Sequence, residues 1–129
     1  MPPSSSFFRS YADAYLAFEA DRLLRFYDLP SMIVDKRGDH LIVQEADLLD
    51  YMRPFLYRLE ENGLGRIDPE MSATLALDED ACFSSVRYRF FSRQQQMFGD
   101  FVAHYMLTAR DKNWRIKFAK VGQVHSWTS

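Results

Sequence analysis

Cysteine is nearly missing from this chain: Cys82 stands alone among 129 residues, so no internal disulfide can form. It lies in a strand-like run without basic neighbours, which marks it as a small buried apolar group rather than a reactive thiol. Glycine is scarce too, with five residues, and none builds a phosphate-cradling loop, a Gly-x-Ser-x-Gly elbow or a nucleotide fingerprint. Kinases, hydrolases of the elbow type and dehydrogenases are therefore disfavoured, and no cofactor is expected. Neither sign of charge dominates: 16 basic and 18 acidic residues are interspersed, for a net charge of -2, which leaves no electrostatic footprint for nucleic acid. No uncharged stretch approaches the ~20 apolar residues that cross a bilayer, so no membrane partner is expected. The opening Met-Pro-Pro-Ser-Ser-Ser lacks the basic start and apolar run of a secretory signal, which points to the cytoplasm. Three histidines without carboxylates at ligand spacing do not make a metal site.

What is plentiful is aromatic. Eleven Phe and seven Tyr contribute to an aromatic share of 16%, enough for a core of flat rings or for a cavity lined by them. At this length one domain is expected, with ~68% of the unfolded surface buried.

Residues 1–6 read as a disordered arm. From Phe8 through Tyr11, Tyr15, Phe18, Leu23 and Leu24 to Tyr27, large apolar groups recur at three- and four-residue steps, the mark of one long helix. Ser6 is a candidate cap, and Asp28-Leu29-Pro30 ends the helix. Two β-rich runs, residues 32–35 and 40–43, flank a turn with Gly38 and form a hairpin. A turn of Arg37-Gly38, or of all four residues 36–39, sets Asp35 directly opposite His40, on the face shared by Ile33 and Ile42; an odd-numbered turn breaks that pairing.

Residues 45–62 are helical again, with a stripe of Leu48, Leu49, Met52, Phe55, Leu56 and Leu59. Pro54 is expected to kink or split it, and Asn62-Gly63 to end it with a left-handed glycine. Four strands follow, at about 66–77, 81–92, 97–110 and 114–124, with short polar connections that make an antiparallel meander. Along the second, Val86, Tyr88 and Phe90 belong to the inner face, while Arg87 and Arg89 mark a wetter one. Along the third, Phe101, Ala103, Tyr105 and Leu107 alternate with Val102, His104, Met106 and Thr108, and both sets are largely apolar. A homodimer covering the outer face of the sheet is the expected consequence.

Helix, hairpin, interrupted helix and long meander, in that order, resemble the nuclear transport factor 2-like superfamily, including its SnoaL-like and ketosteroid isomerase-like members. The likeness runs through nearly the whole chain. It rests on the phrase from Leu24 to Asp35, ending in Phe26-Tyr27-Asp28-Leu29-Pro30-Ser31-Met32-Ile33-Val34-Asp35, and on the closing Asn113-Trp114-Arg115-Ile116-Lys117. It implies an α+β fold: a curved antiparallel sheet, mixed at its edge, around a long first helix, forming a conical half-barrel with a pocket. The expected lining is Tyr11, Phe18 and Phe55 from the helices. From the strands it is Val86, Tyr88, Phe101, Ala103, Tyr105 and Trp114.

The resemblance places Asp35 near the general base of the ketosteroid isomerases; the hairpin pairing offers His40 as its partner, and the first helix offers Tyr15 or Tyr11 as acid, neither at the family's own position. A carboxylate beside an apolar cavity is expected to have its proton affinity raised. The isomerases' second acid falls on Ala103, so their full set is absent. His104 faces the outer side on this reading, and His125 lies in the tail. Two functions stay open: a non-catalytic module that binds a small apolar ligand or dimerises, and an enzyme of the isomerase, dehydratase or cyclase kind acting on a small apolar carbonyl compound.

Overall fold

Whether the periodic segments become what their spacing suggests depends on where the backbone can turn. A computed structural model describes residue 3 and residues 5–123. The first helical segment is broken in two. Helix α1 spans Ser5–Tyr15, and a 3-10 helix follows at Ala20–Phe26. Between them Phe18 adopts φ +57, a left-handed conformation that no helix continues through. The bend lets both halves bury apolar groups, Phe8, Tyr11 and Ala12 from the first and Ala20, Leu23 and Phe26 from the second. Order also begins earlier than expected: α1 starts at Ser5, and Pro3 is buried. Met1, Pro2 and Ser4 of the expected arm lie outside the described residues, as do Val124 and His125.

Strand β1, Tyr27–Asp35, starts well before the expected run and carries Pro30 inside it; Lys36-Arg37 then turns into β2, Gly38–Ile42. The turn is even-numbered, though formed by neither of the two expected pairings. Asp35 therefore faces Gly38, and His40 faces Ile33. Parity still puts Asp35, Ile33, His40 and Ile42 on one face, with Asp35 and His40 as diagonal neighbours. Gly38 follows the turn with φ +129, a conformation that side chains with a Cβ rarely adopt.

Helix α2, Glu45–Glu61, is one uninterrupted element with Pro54 inside it, so the expected split does not occur. Its start is held by the Asp47 carboxylate, which accepts from the Val43 and Gln44 N–H groups at 3.1 and 2.9 Å. Its end is Asn62 followed by Gly63 at φ +71.

The meander comprises β3 (Leu64–Asp78), β4 (Ala81–Ser92), β5 (Met97–Arg110) and β6 (Asn113–Gln123). With the hairpin it forms one six-stranded unclosed sheet in the order β2-β1-β6-β5-β4-β3, antiparallel except for the parallel β1 and β6 pair. The helices pack on one face: α1 lies against β3, where Arg9 donates to the Ile67 carbonyl at 2.9 Å, and α2 touches both β2 and β3. Among the described residues no helix is long and apolar enough to cross a membrane.

On the helix-facing side the strand register stacks side chains in rows. One row runs Cys82, Leu107, Ile116; further along the strands another runs Val86, Ala103, Val121. On the opposite side a row of Leu75, Phe83, Met106, Phe118, Met32 and Leu41 crosses all six strands. Its ends are open: Leu75 is 61% and Leu41 62% exposed.

Candidate functional site

The inner rows do not pack equally. Leu107 and Ile116 are fully buried among Leu23 and Leu48, whereas the Ala103 row borders a cavity of about 480 Å³. Its walls come from every layer: Tyr11 and Tyr15 of α1, Met52 and Phe55 of α2, Ile33 of β1, and Tyr88, Phe101, Ala103 and Tyr105 of the meander. A chamber of this size lies within the range that holds small organic ligands.

At one side of the chamber sits Asp35, its side chain 14% exposed. Its Oδ2 accepts the Tyr51 hydroxyl at 2.7 Å and Arg37 Nη2 at 3.1 Å. Its Oδ1 accepts the Arg37 backbone N–H at 2.9 Å and His40 Nε2 at 3.0 Å. An ionised carboxylate only accepts, so His40 carries a proton on Nε2. The His40 ring lies 4.9 Å from that of Tyr51, and the Arg37 guanidinium 5.6 Å from the same ring. Burial works to raise the Asp35 pKa. The bonds from Tyr51, His40 and Arg37 outweigh it and hold the carboxyl well below the usual carboxylate range. The direction is opposite to the expected one: a carboxylate so held gives up little on staying ionised and is a poor proton acceptor. Burial and the Asp35 bond both push the Tyr51 phenol up, so it remains a donor.

Five further phenols line the interior. The Tyr11 hydroxyl lies 2.7 Å from that of Tyr15 and 2.5 Å from that of Tyr27; Tyr88 and Tyr105 pair at 2.9 Å. Burial raises all five, Tyr15 to about 12. They stay neutral at ordinary pH, and each O–H can turn from its neighbour toward a ligand oxygen. No described buried side-chain nitrogen or oxygen lacks a hydrogen-bond partner. The chamber thus offers flat apolar walls with neutral donors at fixed points.

Of the residues singled out by sequence, Asp35, Tyr15, Tyr11, Phe55, Tyr88, Phe101, Ala103 and Tyr105 meet at this chamber. His40 reaches it through Asp35. Three do not line it. Val86 is fully buried beside Ala103, Phe18 packs at the bend after α1, and Trp114 packs at the far end of β6, opposite Ala109. The donor that serves Asp35 is Tyr51 rather than Tyr15. Sequence reasoning passed over Tyr51, although it follows Leu48 by three positions and precedes Phe55 by four, on the same stripe of α2. Tyr27, expected at the end of the first helix, is instead the first residue of β1.

His104 belongs to the outer face, where its Nδ1 lies 2.7 Å from the Ser85 hydroxyl, and Cys82 is buried with its thiol raised by burial. Arg87 and Arg89 are on the outer face as well: Arg87 grips Asp100 at 2.8 and 2.6 Å, and Arg89 pairs with Glu70 at 3.6 Å. Among the described residues no three His, Cys, Asp or Glu side chains gather as metal ligands.

Solved structures with the same architecture are numerous. A domain of unknown function with a cystatin-like fold from Nostoc punctiforme superposes with a TM-score of 0.75 at 15% identity, covering 94% of this chain and 75% of that one. An NTF-2 like protein of unknown function from Shewanella oneidensis gives 0.71 at 13%, over 91% and 93%. A ketosteroid isomerase-like protein from Erwinia carotovora atroseptica gives 0.69 at 9%, over 95% and 94%. At these identities the likeness is one of fold. No protein with a curated description matches the sequence. The family model of the NTF2-like protein DUF6841 matches residues 4–122, and the chain belongs to that NTF2-like family.

Proposed function

We propose that this protein binds a small, largely apolar molecule in the aromatic chamber and holds it without changing it. The observation that carries this reading is the commitment of Asp35: four donors saturate its carboxylate, so it serves as the anchor of the hairpin against α2 rather than as a free base. The catalytic alternative, proton transfer on a carbonyl compound with Asp35 as base, requires those donors to let go. Binding is tested by titration with N-phenyl-1-naphthylamine, whose fluorescence rises in apolar surroundings. Saturation at one probe per chain is expected, with affinity falling at least about tenfold in Ala103→Phe, which sets a ring inside the chamber. A probe signal that does not saturate, or is indifferent to Ala103→Phe, overturns the reading.

We further propose that two copies pair through the outer face. Its apolar row crosses all six strands, and a two-fold axis lays the row on itself. Arg87, on the same face, is already neutralised by Asp100 within its own chain, so pairing strands no charge there. Light scattering is expected to give twice the chain mass, reduced to the chain mass by Phe83→Glu; a monomer in the parent protein contradicts it.

A further inference from the structure

The chamber's walls are apolar or neutral except for four charged groups, and those are unbalanced. Lys36, Arg37 and Arg58 face one acid, Asp35, so the lining carries two cations in excess, within a chain whose net charge is -2. The single acid is also spoken for. Arg37 pairs with it, which leaves Lys36 and Arg58 without an ion pair among the described residues. Lys36 belongs to the hairpin turn and Arg58 to the last turns of α2, where its guanidinium lies 5.9 Å from the Phe55 ring, itself a wall of the chamber. Both are exposed while also touching the cavity, so they stand where it meets solvent. The other polar lining, such as the phenols of Tyr11, Tyr15 and Tyr27, supplies only neutral donors.

We propose that the ligand is an anionic amphipath: an aromatic or aliphatic body within the chamber, and a carboxylate or comparable anion at the mouth between Lys36 and Arg58. This deepens the binding reading above and rests on it. A neutral apolar molecule would leave both cations without a counter-charge, whereas an anion with an apolar tail matches the chamber at both ends. The phosphates of a nucleotide fit less well, because a polar base and sugar would have to displace water from aromatic walls without partners.

The test compares 4-phenylbutanoate with 4-phenylbutan-1-ol, which share a body and differ in the head group, by calorimetric titration of the 129-residue chain at low and high salt. The carboxylate is expected to bind about tenfold more tightly at low salt, and the preference to shrink as salt screens the mouth. In Arg58→Gln combined with Lys36→Gln the ratio of the two affinities is expected to fall towards one, with the unfolding midpoint unchanged because neither residue is buried. Equal affinities, or a preference for the alcohol, overturn the anion proposal while leaving the binding reading intact. A carboxylate preference that survives the double substitution overturns the placement of the anion at these two cations. Binding of neither compound, together with failure of the naphthylamine titration, removes the binding reading itself.

Discussion

The two ends of the sheet's inner face are built on the same alternation and end differently. At the Cys82, Leu107, Ile116 row the side chains are fully buried in the core and border no cavity; at the next inner row, beside Ala103 and Val121, about 480 Å³ stays open. Branched aliphatic groups adjust their rotamers to fill a gap. Rings tied to each other by hydroxyl bonds do not, because closing the gap would break the pairs Tyr11 with Tyr15 and Tyr27, and Tyr88 with Tyr105. Small groups at Ala103 and Ala119 leave little to project between them. Buried apolar periodicity therefore reports a face, and the kinds of side chain on that face decide whether it is solid.

Substitutions at the two ends should separate accordingly. The largest effect is expected at the filled end: Leu107→Ala should cost about 3 kcal/mol in denaturant unfolding, because a rigid, fully buried site keeps the void it is given. Next is the ionic edge of the hollow end. Asp35→Asn should cost about 2 kcal/mol at neutral pH, since it exchanges charge-assisted bonds from Arg37 for weaker ones and sets an amide against the His40 N–H. The sign of the pH effect follows from the lowered pKa. The unfolded carboxyl binds a proton more readily than the folded one, so the contribution of Asp35 is complete above the ordinary carboxylate value. It is lost as pH falls from there towards the depressed folded value. Acid unfolding midpoints should show this as a steeper loss in the parent than in Asp35→Asn over that interval. The smallest effect belongs to the phenols: Tyr11→Phe should cost about 1 kcal/mol, with both neighbouring hydroxyls still able to turn to one another or to water.

Much of this was legible in the sequence. Alternation located β4, β5 and β6 to within a residue or so of their ends, because long strands with one buried face repeat the signal many times. The bend at Phe18 was not legible: apolar spacing continues through it, and a single left-handed residue leaves no trace in periodicity. Pro54 does not split α2. It sits on an exposed position of the helix, and the stripe of Leu48, Met52, Leu56 and Leu59 packs well enough to keep it whole. Parity brought Asp35 and His40 to one face without fixing the turn that joins them. The strongest bond that lowers the Asp35 pKa comes from Tyr51, on an element that sequence distance does not bring near, so local reading supplied only the His40 and Arg37 share.

The openness of the chamber is tested most directly by adding the same side chain at both ends, in Cys82→Leu and Ala103→Leu, and measuring unfolding free energies side by side. Cys82→Leu enters a packed row and should lose about 2 kcal/mol to overpacking. Ala103→Leu enters open volume and should stay within about 0.5 kcal/mol of the parent. Equal losses in the two variants would mean that the space beside Ala103 is closed in solution.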